Sequence, residues 1–196
     1  MVTGLLACRM TIDDELPAWA RAGRAGWTWT GQARPPFATV PGTDQESVWD
    51  YPRPPRLVPD PREVTVACGD TVVARTTGAL RLLETAHPPT FYLPRADVDL
   101  RWLERGSGTS RCEWKGLATY YDVVMRGRRL AGVAWSYERP LVDARSITGY
   151  LAFYANALTC CVAGERAVPQ PGGFYGGWIT PELVGPFKGE PDSDGW

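Results

Sequence analysis

Histidine is nearly absent from this chain, and its cysteines lack metal-binding spacing. The 196 residues contain one histidine, His87, and five cysteines, of which Cys160 and Cys161 are adjacent. An odd number of cysteines with one adjacent pair is atypical of a disulfide framework and indicates a reducing compartment. Zinc sites need Cys-x-x-Cys or similar Cys/His spacing, which is missing here. We therefore expect no Cys/His metal site, and we assign no metal ion and no cofactor.

Long hydrophobic runs and blocks of like charge are missing too. No apolar stretch reaches the roughly 18 residues that a membrane-spanning helix needs. The formal net charge is −1, from 21 basic and 22 acidic residues that are mixed along the chain. A nucleic-acid-binding surface requires a basic patch or stripe, so we expect no nucleic acid partner and no membrane partner. We predict a cytoplasmic protein.

Tryptophan, proline and glycine are abundant, with nine, 18 and 21 residues. This composition favours strands joined by turns over long helices. We predict a mainly β (β-rich α+β) fold with one short helix. The helix is predicted over Ala96–Leu103, because Val98 and Trp102 lie four residues apart. Asp97 and Asp99 would lie in its first turn, where carboxylates match the helix dipole.

The strand pattern is densest between residues 62 and 168. There, apolar residues alternate over Val64–Cys68, Gly69-Asp70 supplies a turn, and Thr71–Arg75 follows, which predicts a β-hairpin. Residues 62–168 are therefore interpreted as one β domain. Residues 1–61 combine repeated proline with tryptophan and tyrosine, which is typical of an extended arm. Residues 169–196 form a Gly/Pro/aromatic tail that is either flexible or packed on the domain.

The segment Cys112–Gly116 carries the strongest chemical signal. It places the Cys112 thiol three residues before the Lys115 ammonium, and a nearby cation lowers a thiol pKa. Cys112 is thus a candidate nucleophile with Lys115 as its electrostatic activator. The alternative is that Cys112 is a small buried apolar residue and Lys115 a solvated turn residue.

Two further titratable residues follow an apolar segment at residues 79–84. Glu84 is a candidate general base, or a partner of Lys115 or Arg81 in an ion pair. The alternative is an ordinary ion pair at the end of a strand. His87 could complete a Cys–His dyad, but it precedes Pro88-Pro89, which is expected to end this segment in a loop. We therefore predict a surface histidine.

Aromatic residues with polar groups are frequent around these positions, and they suit a planar or sugar-like ligand. The alternative is a purely aromatic core. The candidate ligand-binding residues are Tyr92, Trp114, Tyr120, Trp135, Tyr137, Tyr150 and Arg81.

Several short motifs occur together in one order along the chain. They are Leu83-Glu84-Thr85, Pro88-Pro89, Tyr92-Leu93-Pro94, Asp97-Val98, Cys112-Glu113-Trp114-Lys115-Gly116, Ala118, Tyr120, Trp135-Ser136-Tyr137, Pro140 and Gly149–Tyr154. This combination resembles the DUF427 family, a domain of unknown function, over residues 62–168. Glu46–Pro52 and Gly172–Trp178 resemble the flanks of its longer actinobacterial form. The resemblance implies two antiparallel sheets that lean together, tent-like, over a cavity.

The resemblance leaves three functions open. The first is binding, with turnover through Cys112, of a small polar or aromatic metabolite. The second is a non-enzymatic small-molecule binding module. The third is nucleotidyl transfer, since the family is sometimes labelled nucleotidyltransferase-like. That chemistry needs a Gly-Ser turn followed by two carboxylates for Mg²⁺, whereas Asp97-Val98-Asp99 precedes Gly106-Ser107 here.

Overall fold

The computed structural model describes residues 16–196, and most of its regular structure is β-strand. One α-helix occurs in this part of the chain, α1 (Ala18–Arg24), and the other helical segments are 3₁₀ helices of three to six residues. The strands are β1 (Glu46–Ser47), β2 (Arg56–Asp60), β3 (Val64–Cys68), β4 (Thr71–Thr76), β5 (Ala79–Glu84), β6 (His87–Tyr92), β7 (Leu103–Cys112), β8 (Gly116–Met125), β9 (Arg128–Ser136), β10 (Leu151–Phe153), β11 (Thr159–Val162), β12 (Glu165–Arg166), β13 (Val168–Pro169), β14 (Trp178–Ile179) and β15 (Leu183–Val184).

The strands between residues 16 and 196 are divided among five sheets. Two sheets have four strands, in the orders β12-β11-β3-β4 and β10-β9-β8-β7, and a third has the order β2-β5-β6. All pairs in these three sheets are antiparallel. The short pair β13-β14 is antiparallel, and β1-β15 is parallel. The predicted mainly β fold with antiparallel sheets is confirmed, although the strands form more sheets than two.

The main core lies between the two four-stranded sheets. Val64, Val66 and Val73 are almost fully buried in it, as the alternation in the predicted hairpin requires. Phe91 of β6 stacks on Trp178 of β14 with ring centroids 5.1 Å apart. This contact attaches the C-terminal segment to the core.

The helix predicted over Ala96–Leu103 is wrong. Two 3₁₀ turns, Arg95–Asp97 and Leu100–Trp102, occupy this stretch, and β7 begins at Leu103. Val98 lies between the turns and forms an isolated bridge with Ala74, while the N–H of Asp99 donates to Val73. Backbone groups of Val98 and Asp99 thus bond to β4 and are not available for the hydrogen bonds of a helix. The chain is therefore extended at this point.

The turn between β5 and β6 lies at Thr85-Ala86, before the two prolines. Ala86 has φ +68°, and Pro88 and Pro89 belong to β6. Proline is tolerated there because β6 is an edge strand of its sheet. The loop predicted around His87 is therefore wrong, and His87 lies opposite Glu84 in the strand register.

The two flanks of the chain contact each other and the sheets. β2, within the segment predicted as an arm, pairs with β5 over its whole length. β1 from the N-terminal side pairs with β15 from the C-terminal side. Trp49 is fully buried beneath Trp196, with ring centroids 5.2 Å apart. Neither α1 nor any 3₁₀ helix between residues 16 and 196 has the length and apolar character to cross a bilayer.

Candidate functional site

A cavity of about 130 Å³ opens between the β5-β6 hairpin, the β7-β8 turn, β9 and the segment after β13. Its walls combine aromatic rings with several titratable groups. The lining residues are Leu82, Glu84, His87, Pro88, Thr90, Tyr92, Ser110, Arg111, Cys112, Glu113, Lys115, Tyr120, Trp135, Tyr137, Tyr154, Gln170, Phe174, Tyr175 and Gly176.

Most of the residues predicted from the sequence line this cavity. Cys112, Lys115 and Glu84 come together there, although 28 or more residues separate Glu84 from the others. The predicted ligand-binding residues that also line it are Tyr92, Tyr120, Trp135 and Tyr137.

Three predicted ligand-binding residues lie outside the cavity wall. Trp114 is buried behind Lys115 and packs under the guanidinium of Arg24, 4.7 Å from the ring centroid. Tyr150 packs against the aromatic cluster that surrounds the cavity. Arg81 faces the opposite side of its sheet, where its Nη2 donates to Glu46 at 2.9 Å.

The β7-β8 turn positions Cys112 and Lys115. Cys112 pairs with Gly116 across the hairpin, and the N–H of Lys115 donates to the Cys112 carbonyl at 3.2 Å. Gly116 has φ +105°, a conformation that favours glycine. The N–H of Leu141 donates to the Lys115 carbonyl at 3.0 Å and fixes the turn against the following segment.

Glu84 is the centre of a buried charge cluster. Its Oε1 lies 3.4 Å from Nε of Arg53 and 3.9 Å from Nε2 of His87, and its Oε2 lies 4.0 Å from Nζ of Lys115. Arg53 is held from behind, where it donates to the Thr85 carbonyl at 2.8 Å. Burial alone would raise the pKa of the Glu84 carboxyl, but the three basic neighbours outweigh it and hold the pKa below its usual value.

His87 is part of this cluster and is not a surface histidine as predicted. Its Nδ1 lies 2.9 Å from Nε2 of Gln170, which also donates to the Lys188 carbonyl. Oε1 of Gln170 accepts from the N–H of Gly177, which fixes the orientation of the amide. Nδ1 of His87 is thus the acceptor, and Nε2 carries the proton and faces Glu84. Burial, aided by nearby cations, lowers the pKa of His87 to about 4.

Cys112 does not have the low pKa that its position beside Lys115 led us to expect. Burial raises the pKa of the thiol, and Lys115 opposes this effect without overcoming it. Burial would lower the pKa of the Lys115 ammonium, but the surrounding groups hold it well above its usual value; they are Cys112, Tyr92, Tyr137 and Glu84. At neutral pH the pair is therefore a thiol beside an ammonium.

The tyrosine hydroxyls that line the cavity differ in their hydrogen bonding. The hydroxyl of Tyr120 exchanges a hydrogen bond with Ser110 at 2.9 Å, and that of Tyr154 donates to the Phe174 carbonyl at 3.0 Å. The hydroxyl of Tyr92 is buried without a well-formed hydrogen bond to any residue between 16 and 196. Burial raises the pKa of Tyr92 to about 12, so this hydroxyl keeps its proton at neutral pH.

Residues 56–164 match the model of a family described as "Domain of unknown function (DUF427)". The chain belongs to the DUF427 family. The match includes β2 through β11 and contains Glu84, Cys112 and Lys115. A search of curated proteins found no match to the chain. The family description assigns no activity to the DUF427 domain.

Asp97 and Asp99, the two carboxylates of the Asp-x-Asp pair, both lie outside the cavity and both have partners in the described part of this DUF427 protein. Asp97 accepts a hydrogen bond from the Thr76 hydroxyl at 2.6 Å, and Asp99 pairs with Arg101 at 2.7 Å. Within residues 16–196, no three His, Cys, Asp or Glu side chains lie close enough together to hold a metal ion.

Sequence reasoning missed several residues in or beside the DUF427 cavity. Arg53, which contacts Glu84 without lining the cavity, comes from before the family match. Gln170, Phe174 and Tyr175, which line the cavity, come from after it. No local motif indicated them, since each reaches the cavity through the packing of a flank. The proline-aromatic and glycine-aromatic composition of the flanks was the only signal that they are packed.

Proposed function

We propose that this DUF427 protein binds a small polar or aromatic metabolite in the cavity beside Glu84, Cys112 and Lys115. The observation that carries this proposal is the buried hydroxyl of Tyr92 on the cavity wall, whose proton has no acceptor among residues 16–196. A buried polar group without a partner costs free energy, so a ligand that supplies one would be bound favourably.

The size of the cavity supports a small ligand. Its volume is about 130 Å³, close to the roughly 150 Å³ of an engineered cavity that binds benzene. A nucleoside triphosphate is several times larger than such a space. Nucleotidyl transfer also needs metal-binding carboxylates, and Asp97 and Asp99 already have partners. Size and charge thus favour a small metabolite over a nucleotide.

Turnover through Cys112 is the second candidate function, and the thiol beside Lys115 in the same cavity favours it. Sγ would bond to an electrophilic carbonyl carbon, the carbonyl electrons would move to its oxygen beside Lys115, and the thiol proton would pass to Glu84. His87 is a poor base for this step, because Nδ1 accepts from Gln170 and Nε2 already carries a proton. A non-enzymatic binding module keeps the cavity and leaves the thiol unchanged.

We also propose a cytoplasmic location, which rests on the thiols. Cys68, Cys112, Cys160 and Cys161 are all free, even though the last two are adjacent. Alkylation during lysis under non-reducing conditions should modify the accessible thiols among these four residues. Recovery of any of them as a disulfide would contradict this location.

Binding is tested by screening small metabolites for an increase in the unfolding temperature. Compounds that stabilise the protein are then mapped by NMR on the indole and amide resonances of the wild type. We expect changes at Trp135 and at the residues of the β7-β8 turn, since both line the cavity. The proposal fails if no compound stabilises the protein, or if the changes lie elsewhere.

A further inference from the structure

We infer that the ligand is a small monocarboxylic acid, whose carboxylate is bound by the Lys115 ammonium and the hydroxyls of Tyr92 and Tyr137. This inference rests on the proposed function and narrows its ligand to one chemical class. The same three groups would accept a small phosphate, so the choice between carboxylate and phosphate depends on charge and size.

Hydrogen-bond donors without acceptors meet on one wall of the cavity. Nζ of Lys115 makes no hydrogen bond within residues 16–196, and its nearest carboxylate oxygen, on Glu84, is 4.0 Å away. The proton of the Tyr92 hydroxyl has no acceptor within residues 16–196, since the nearby Trp135 indole N–H can only donate, and Tyr137 lines the same wall. The Tyr92 and Tyr137 rings lie 6.3 Å apart, and Lys115 interacts electrostatically with both. A ligand at this wall must accept hydrogen bonds.

The acceptors of the cavity are already engaged. Glu84 faces Arg53, His87 and Lys115, and Nδ1 of His87 accepts from Gln170. A cationic ligand would have to compete with these groups for the Glu84 carboxylate. Donor-rich ligands such as amines are therefore disfavoured.

Lys115 is the buried cation of this cluster that lies farthest from a counter-ion. Glu84 lies closer to Arg53, at 3.4 Å, than to Lys115, at 4.0 Å, and Arg53 also interacts electrostatically with Glu113. Lys188, a further cation near Glu84, donates to two backbone carbonyls. A buried charge without a close counter-ion is unfavourable. One negative charge on the ligand would supply that counter-ion at Lys115.

Charge and size separate a carboxylate from a phosphate. A carboxylate brings one negative charge, whereas a phosphate monoester brings up to two and would leave an excess negative charge in the cavity. Next to the donors, the wall is aromatic: Trp135 and Tyr154 lie with ring centroids 4.5 Å apart. An apolar or aromatic body of roughly benzene size fits this part of a cavity of about 130 Å³.

The test compares acids with their neutral isosteres by calorimetric titration of the full chain at pH 7.5. The probes are benzoate with benzamide, propanoate with propanamide, and phenyl phosphate with inorganic phosphate. We expect at least one acid to bind 10-fold or more tightly than its amide. We also expect phenyl phosphate to bind more weakly than benzoate.

Variants test whether Lys115 and Tyr92 cause the preference for an acid over its amide. Lys115→Met should reduce the affinity for the acid at least 10-fold and make acid and amide equal, whereas Lys115→Arg should keep the acid preference. Tyr92→Phe should weaken acid binding several-fold. Tyr121→Phe is the matched control, because Tyr121 lies outside the cavity wall and its hydroxyl donates to Glu138. Thermal unfolding of each variant shows whether it folds. If Lys115→Met does not fold, Lys115→Arg and Tyr92→Phe still test the inference.

The outcomes separate the inference from the proposed function. If an amide binds as tightly as its acid, the cavity binds small molecules and the carboxylate inference is overturned. If phenyl phosphate or inorganic phosphate binds more tightly than every carboxylate, the anion is a phosphate and the inference is again overturned. If none of the probes binds, the inference fails, and the metabolite screen alone then decides the proposed function.

Discussion

Nδ1 of His87 accepts a hydrogen bond of 2.9 Å from the side-chain amide of Gln170, which lies 83 residues later in the chain. This contact joins β6 to the segment that closes the cavity. It determines the tautomer of the histidine and directs the Nε2 proton towards Glu84. The ring therefore acts as a neutral donor beside a carboxylate.

His87 should titrate near pH 4, and it should make the protein less stable in acid. Its pKa is about 4 in the folded protein and about 6.5 in an unfolded chain. Between these values the unfolded chain binds more protons, so stability falls as the pH is lowered from about 6.5 to 4. The loss is about 3 kcal/mol, at roughly 1.4 kcal/mol per pH unit.

One resonance reports this titration, because the chain has a single histidine. The Cε1 proton of His87 should shift with a midpoint near pH 4, and in urea with a midpoint near 6.5. His87→Gln can still accept from Gln170 and should flatten the dependence of the unfolding free energy on pH in this window. A folded-state midpoint at or above pH 6 would contradict the buried neutral histidine.

Glu84→Gln should destabilise the fold strongly. The substitution leaves Arg53, whose side chain is 1% exposed, without its counter-ion. Removal of one partner of a buried ion pair costs about 3–5 kcal/mol. Glu63→Gln is the control, because its pair with Arg75 is exposed and should contribute less than about 1 kcal/mol. Urea unfolding measures both, and equal effects would show that the Glu84 cluster contributes no more than a surface pair.

Gly176→Ala should disturb the segment that closes the cavity. A Cβ at residue 176 would overlap the indole ring of Trp135, which the aromatic wall holds in place. Overpacking of this kind costs about 1–3 kcal/mol. Gly195→Ala is the matched control, since a Cβ there meets no atom within 4 Å. We expect the indole N–H resonance of Trp135, assigned by NMR, to shift in the first variant only, and an unchanged resonance in both would mean that residue 176 is not packed on Trp135.

Cys112 should react slowly with iodoacetamide at pH 7. Burial raises the pKa of its thiol, and the reactive species is the thiolate. We expect labelling slower than that of free cysteine, with the rate still rising above pH 9, as followed by peptide mass spectrometry. Lys115→Met should slow the reaction further, because the nearby cation is lost. Labelling faster than free cysteine at pH 7 would instead support turnover through Cys112.

Local patterns predicted the strands and the turn that forms one half of the cavity wall. The alternation of Val64 and Val66 predicted the β3-β4 hairpin, and Lys115-Gly116 was predicted as a turn between two strands, where the structure has the β7-β8 turn. These predictions succeed because hairpins depend on residues close in sequence. The helix over Ala96–Leu103 failed because the spacing of Val98 and Trp102 also fits an extended chain that is paired with β4.

The remaining half of the cavity depends on contacts between distant residues. Arg53, Gln170 and Tyr175 reach Glu84 and His87 only after both flanks have packed. The same packing removes water from Cys112, which reverses the pKa shift that its neighbour Lys115 would cause alone. Sequence spacing indicates which charges are close, but it does not indicate how deeply they are buried.

The hydrogen bond from Gln170 to His87 also sets an order of events during synthesis. The strands of the family match end at residue 162, so their pairing can precede the emergence of the C-terminal segment from the ribosome. Until residues 170–177 have emerged, His87 lacks its partner and the cavity lacks one wall. A nascent chain can therefore form most of its sheets before the last wall of its cavity is in place.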